Sequence, residues 1–283
     1  MFWLSVQAGA LAAGRQFNVN VEWNGPAQET EYDRQIQIVD SMIARRVDGL
    51  AVAAAERHAL SGAIDRATAL GIPVTVFDSG VDTSRYMTYI ATDNYDAGEK
   101  GARELARLLG GKGAVAVIQH APGSASTMDR ERGFQDSIAR EFPRIHIVAR
   151  QYGMSDRSRA MATTEDILTA NPRLNGLFAS SEPSGVGAAL ALKSRGLAGK
   201  VHLVAVDSSE EMVAFLRDGV MSALVVQDPF GMGFQAVKSL VDKLNGKTPP
   251  KRIDLSARLI VKKDLDDPAV RRLLNPGLGA AAK

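Results

Sequence analysis

Segments whose apolar positions recur at helical spacing alternate, from end to end of this chain, with short runs that are apolar throughout. The helical patterns cover residues 3–16, 31–46, 57–70, 94–109, 126–141, 156–170, 184–195, 209–217 and 229–244. In the second of them Tyr32, Ile36, Val39 and Ile43 form one apolar stripe that would cover the face of a sheet. The run that follows, Leu50-Ala51-Val52-Ala53-Ala54, is short and continuously apolar, as a strand buried on both faces would be. Strands alternating with helices of this length read as βαβ units, so the chain is expected to be an α/β protein built on parallel sheets. Gly71, Gly110 and Gly196 each stand just past a helical pattern, where a left-handed C-cap takes glycine most easily.

The 283 residues lie near the size, about 250 to 300, at which one hydrophobic core stops growing and a chain divides. Two lobes are therefore expected. No Ser/Pro-rich linker separates them, so plain strand crossings must join them, near Ile90-Ala91-Thr92, Val226-Gln227-Asp228 and Leu255-Ser256. That division gives one lobe residues 1–91 and 228–255 and the other residues 92–227 and 256–283. The tail from Asn275 to Lys283 is small and unpatterned, and is expected to fray.

Charge and composition then remove several functions. A net charge of +2, with basic residues spread along the chain, points to no nucleic-acid partner. No apolar stretch approaches the ~20 residues of a spanning helix, so no membrane insertion is expected. The absence of cysteine excludes disulfides and thiolate metal sites. Met1 to Val6 lacks the basic and apolar regions of a secretory signal, so an exported form would need one from elsewhere. Gly246-Lys247-Thr248 ends like a phosphate-binding loop, but Val241 stands where the first glycine belongs, and a solvated turn is expected. Gly231-Met232-Gly233 fits a relaxed dinucleotide pattern without the acid that should close a second strand. His58, His120, His146 and His202 share no ligand spacing, and neither HExxH nor GxSxG occurs. No catalytic residue, cofactor or metal is indicated, and the chain does not read as an enzyme.

Two apolar runs end on aspartate: Ile72-Pro73-Val74-Thr75-Val76-Phe77-Asp78 and Val201-His202-Leu203-Val204-Ala205-Val206-Asp207. Ligands of open α/β sheets sit outside the carboxyl ends of the strands, so the matched pair suggests one ligand gripped by two similar lobes. Either acid alone would read as a helix N-cap, and Ser208-Ser209-Glu210 after Asp207 fits that alternative. Thr92, Arg130, Ser181, Glu182 and Gln227 stand at other strand ends and turns. Carboxylates, a guanidinium and amides at such positions suit a polyhydroxylated ligand. Phe2 and Trp3 add flat faces for the C–H side of a sugar ring, or else belong to the core. Arg130 has its own alternative, an exposed pair with Asp129 or Glu131.

At these residues the sequence resembles the type I periplasmic sugar-binding proteins of bacterial ABC importers, the group of ribose-binding protein. The resemblance runs in order over nearly the whole chain. Phe2-Trp3 with Gly9-Ala10 looks like the family's first-helix aromatic pair, followed by Gly71-Ile72-Pro73-Val74 through Asp78 and by Thr92-Asp93-Asn94 with Gly98. Arg130-Glu131-Arg132-Gly133-Phe134 is similar to its Arg-x-x-Gly-Phe segment, Ala179-Ser180-Ser181-Glu182 to its polar turn, and Asp207 and Gln227-Asp228-Pro229 to its last two binding positions. The resemblance implies two Rossmann-like lobes joined by three crossings and closing on one monosaccharide. The ligand set it implies is Phe2, Trp3, Asp78, Thr92, Arg130, Ser181, Glu182, Asp207 and Gln227. It further implies a periplasmic receptor, monomeric, that delivers a sugar to an ABC permease. Asp78-Ser79 and Ser181 depart from the ribose pattern, and Asn24-Gly25-Pro26 resembles autoinducer-2 receptors of the same superfamily. The effector domain of a LacI-type regulator is the rival from another class.

In the resembling family a central strand precedes the first helix, between strands that correspond here to Asn18–Trp23 and Gly49–Ala53. This chain starts at the helix, as a truncated fragment or a misplaced start would. The expectation is a gap of roughly 9.6 Å between those two strands, twice the ordinary spacing, with no ladder joining them.

Overall fold

The computed structural model describes residues 1–275, and the tail beyond Asn275 that was expected to fray lies outside them. In chain order the elements are α1 (Phe2–Phe17), α2 (Tyr32–Ala44), β1 (Leu50–Val52), α3 (Ser61–Ala69), β2 (Val74–Phe77), β3 (Thr88–Thr92), α4 (Asn94–Leu108) and β4 (Gly113–Gln119). They continue with α5 (Ala125–Glu141), β5 (Ile145–Tyr152), α6 (Arg157–Ala170), β6 (Gly176–Ala179), α7 (Glu182–Ser194), β7 (His202–Val206) and α8 (Glu210–Arg217). The last are β8 (Ala223–Val226), α9 (Pro229–Leu244), β9 (Arg252–Leu255), β10 (Arg258–Ile260), a 3-10 turn (Lys262–Asp266) and α10 (Pro268–Leu274). The sequence pattern missed the final two because so short a segment shows no helical period.

Among the described residues the strands form two sheets. One has the order β1-β2-β3-β9 and is parallel throughout. The other has the order β10-β8-β7-β6-β4-β5, parallel from β8 to β5, with β10 added antiparallel at its edge. Every residue of β2, β6 and β8 is buried, which is why these strands are apolar without alternation. The outer strand β5 alternates and is largely exposed. The chain passes between the sheets three times: from Thr92 of β3 into α4, from Val226 of β8 into α9, and from Leu255 of β9 to Arg258 of β10. The carboxyl ends of both sheets meet at one cavity, which places Phe77, Asp78, His120, Ser181, Asp207 and Gln227 on a common wall.

Each sheet carries a pair of helices that cross at glycines. In α1 and α9, a Cβ added to Gly9 would lie 2.0 Å from Phe230 O, and one on Gly233 would lie 2.0 Å from Val6 O. In α4 and α5 the same happens at Gly98, 2.0 Å from Arg130 O, and at Gly133, 2.1 Å from Tyr95 O. Backbone touches backbone in both pairs, so only glycine fits. The Gly231-Met232-Gly233 pattern thus serves helix packing and capping: Asp228 caps α9 by accepting from Gly231 N at 2.8 Å. The Gly246 turn is solvated, with Lys247 reaching back to Asp242.

The strand expected at Asn18–Trp23 is corrected. Asn18 ends α1 in the left-handed conformation (φ 53°) and the residues after it belong to no strand. Alternation survives there, with Val21 and Trp23 turned inward between exposed Asn20, Glu22 and Asn24. Among the described residues no ladder joins this segment to β1, which pairs with β2 alone, and Val21, Trp23, Leu50 and Val52 line the same cavity. Strand pairing needs backbones in register about 4.8 Å apart, a relation that alternation of side chains does not itself create.

Gly98→Ala should lower the stability of the protein by roughly 1 to 3 kcal/mol, because the added methyl forces α4 and α5 apart. Urea unfolding would measure this. An unchanged midpoint would show that the crossing gives way without cost.

Candidate functional site

Asp78 and Asp207 occupy equivalent places in the two sheets. Each follows a buried strand, adopts positive φ (58° and 79°) and donates its backbone N–H to the neighbouring strand, Asp78 to Ile90 O at 2.8 Å and Asp207 to Val225 O at 2.9 Å. Aspartate tolerates this left-handed conformation better than most residues, and it turns the side chain out of the sheet. Neither acid caps the helix that follows it in sequence. Ser209 caps α8, accepting from Met212 N at 3.2 Å. Asp207 reaches sideways instead, accepting from Glu182 N at the start of α7 (3.0 Å) and from Gln227 Nε2 (2.5 Å).

Between the two aspartates lies Arg130, only 3% exposed on α5. It is not the surface pair that the sequence left open. Its Nε donates to Asn94 Oδ1 at 2.7 Å, its Nη1 donates to Ser180 O at 3.0 Å, and Nη1 lies 3.9 Å from Asp207 Oδ2. Its neighbours are engaged elsewhere. Asp129 pairs with Arg132, and buried Glu131 accepts from Gln119 Nε2, His120 N and Ser180 Oγ. These bonds leave Nη2 of Arg130, a residue that lines the cavity, with no acceptor among the described residues.

The Asp78 carboxylate accepts no hydrogen bond among the described residues, although the residue is only 7% exposed. Burial pushes its pKa up to about 7; the nearby Arg130 and His120 charges oppose this, and Asp207 and Glu29 reinforce it. Gln227 spends its amide on Asp207 and leaves Oε1 buried with no partner. Asp78 and Arg130 thus bring a carboxyl and a guanidinium to one space, a cavity of about 1150 Å³.

The aromatic pair serves both readings the sequence allowed. Phe2 and Trp3 meet edge to face (5.1 Å, 89°), Trp3 packs on Phe77 (6.5 Å), and both line the cavity. Trp3 Nε1 donates to Glu29 Oε1 at 2.7 Å. Ser181 and Glu182 also line the cavity, but their polar atoms are engaged: Ser181 Oγ with His120 Nδ1 at 2.9 Å, and the Glu182 carboxylate with Arg157. Thr92 does not reach the cavity. It closes β3 opposite Leu255, buried, with Oγ1 unpartnered. Asn94, two positions on and already at the start of α4, is the residue that holds Arg130.

Glu29 and His120 were missed. His120 carried a usable signal, since it stands two positions past an apolar run, Ala114 to Ile118. Glu29 lies in irregular chain and gave none.

Two Rossmann-like sheets with a polar cleft at their facing carboxyl ends define a two-lobed binding protein. The chain belongs to the periplasmic binding protein domain family, whose model matches residues 1–248. It is 28% identical over 235 residues to the ribose import binding protein of Bacillus subtilis, covering 83% of this chain and 75% of that protein. Among solved structures, an Agrobacterium radiobacter carbohydrate transporter solute-binding protein in complex with D-arabinose superposes with a TM-score of 0.94 at 30% identity, covering 97% of this chain and 94% of that one. An Agrobacterium vitis ABC transporter solute-binding protein with bound D-fucose gives 0.94 at 33% identity, covering 97% and 96%. The family is one of binding proteins.

Because the folded protein holds the Asp78 proton more tightly than the unfolded chain does, Asp78 contributes stability at acid pH that is lost as pH rises through about 7. Asp78→Asn should therefore match the native protein near pH 4 and exceed it by roughly 2 to 4 kcal/mol at pH 8, in the absence of ligand. Denaturant melts at the two pH values test this, and equal stability at pH 8 would refute it.

Proposed function

We propose that this protein is a non-catalytic receptor that captures a monosaccharide in the cleft between its lobes and delivers it to an ABC permease in the periplasm. The moving units are residues 1–91 with 228–255 and residues 92–227 with the remaining chain, and the receptor acts as a monomer. The observation that carries this reading is the Asp78 carboxylate, buried at the cleft without a partner among the described residues. A buried carboxyl left without hydrogen bonds costs stability, and a sugar hydroxyl supplies them. The Arg130 guanidinium supplies a complementary donor from the other lobe, while Phe2 and Trp3 offer apolar faces to the ring. The sugars bound by similar solved proteins support the same ligand class. Thr92 takes no direct part in this reading and belongs to the hinge.

Titration calorimetry with D-arabinose, D-fucose and D-ribose tests the proposal. At least one should bind, and Asp207→Ala should weaken it by about 1.5 to 3 kcal/mol, roughly 10- to 150-fold. Unchanged affinity in Asp207→Ala would assign that residue to holding Glu182 N and Gln227. Failure of all monosaccharides in a wider panel would sink the sugar reading.

A further inference from the structure

Glu29 and His120 meet across the cleft from opposite lobes. Glu29 lies between α1 and α2 on the side of the first sheet, and His120 directly follows β4 of the second. Glu29 Oε2 is 2.7 Å from His120 Nε2, and its other oxygen accepts from Trp3. His120 is 4% exposed, while Glu29 keeps 36% of its side chain open, a surface that faces the cavity. Two further contacts between the lobes involve no charge, Arg57 N donating to Gly123 O (3.0 Å) and Ser126 N donating to Ser79 Oγ (3.3 Å).

The hydroxyl hydrogen bonds around the histidine orient its Nδ1 side. Ser184 Oγ donates to Gln119 O at 3.4 Å, a carbonyl that can only accept. Ser181 Oγ therefore gives its single proton to Ser184 Oγ at 3.2 Å, and the proton between Ser181 and His120 Nδ1 has to come from the ring. On the far side the Glu29 carboxylate also only accepts. Burial would raise its pKa, but the hydrogen bond and charge of His120, with donors from Trp3 and Ser155, outweigh burial and hold the pKa below the ordinary value of 4.5. With Nδ1 donating to Ser181 and Nε2 facing an oxygen of Glu29, the geometry suits a doubly protonated ring against a carboxylate.

The backbone beside the pair is also unusual. Met154 and Ser155 are consecutive left-handed residues (φ 57° and 55°), neither of them glycine, and Ser155 N donates to His120 O at 3.2 Å. Such a conformation persists only where its surroundings impose it.

We propose that Glu29 and His120 form a clasp that closes the lobes on each other without ligand, positions the Trp3 indole at the cleft, and releases as His120 gives up its proton. Closure, and with it retention of the ligand assigned above, then falls as pH rises. At the acid end the clasp fails only once Glu29 is protonated, below its ordinary range. Other titratable or charged groups face the pair from every side: Asp78 beyond β2, Arg130 and Glu131 on α5, Asp207 beyond β7, Glu182 on α7, Asp156 before α6, Glu56 beyond β1 and Tyr32 on α2. Of these, Asp78 titrates at about 7, inside the pH range tested below, and needs its own control.

The chain has no cysteine, so a spin-label pair can be placed without removing any native thiol. Labels at exposed Asp33→Cys and Ser158→Cys, one in each lobe, report the sugar-free separation of the lobes by double electron–electron resonance. The expected result is a closed-to-open ratio that falls at least about tenfold between pH 6 and pH 8.5, the scale of a close charge pair across an interface. Glu29→Gln and His120→Gln should both be open at pH 6 and lose the pH dependence, while Asp78→Asn should keep it. A native ratio that does not change with pH would overturn the clasp, as would a pH profile that survives in Glu29→Gln. The near-isosteric Glu29→Gln keeps the test decisive if His120→Gln does not fold. Because no sugar is present, these outcomes are independent of whether the monosaccharide reading holds.

Discussion

Arg130 buries its guanidinium where the two sheets face each other, and much of the cleft is arranged around that charge. An unpaired cation at 3% exposure would cost several kcal/mol, so its neighbours are committed to it: Asn94 Oδ1, the carbonyl of Ser180 and, more distantly, Asp207. Asp207 in turn holds Gln227 and the first amide of α7. The position of Arg130 is itself set by packing, because its own carbonyl lies against Gly98 where α4 and α5 cross. A contact between two helix backbones thus fixes the geometry of a polar network several residues away.

The two lobes repeat one local solution and complete it differently. Both use a glycine crossing to bring a helix pair together, and both end a buried strand on a left-handed aspartate. In the second sheet the protein satisfies that aspartate with Gln227 and Glu182 N. In the first it does not, and Asp78 remains a buried carboxyl with its proton held up to about pH 7. The unequal completion leaves one polar group open at the candidate site, where buried polar groups of a folded protein are almost always paired.

Much of the architecture was legible before the coordinates. Tyr32, Ile36, Val39 and Ile43 announced α2, the unbroken run ending at Phe77 announced a strand covered on both faces, and both strand-end aspartates stood out in the chain. Order and spacing of Phe2-Trp3, Arg130 and Gln227 located residues that do line one cavity. The segment after Asn18 was misjudged because strand-like alternation of Val21 and Trp23 reports only which side chains turn inward. Whether a neighbouring backbone lies close enough to pair is not a local property.

The sequence by itself determined the elements, their α/β order and the placing of acids at strand ends, because helical and strand periods follow from backbone geometry a few residues at a time. Only the tertiary structure decided how the polar groups were shared. It made Asn94 rather than Thr92 the partner of Arg130, spent Glu182 on Arg157, left Asp78 unpartnered, and brought Glu29 to His120 across 91 positions of chain. Those outcomes depend on which side chains meet when two separately folded sheets face each other, and no local period records that meeting.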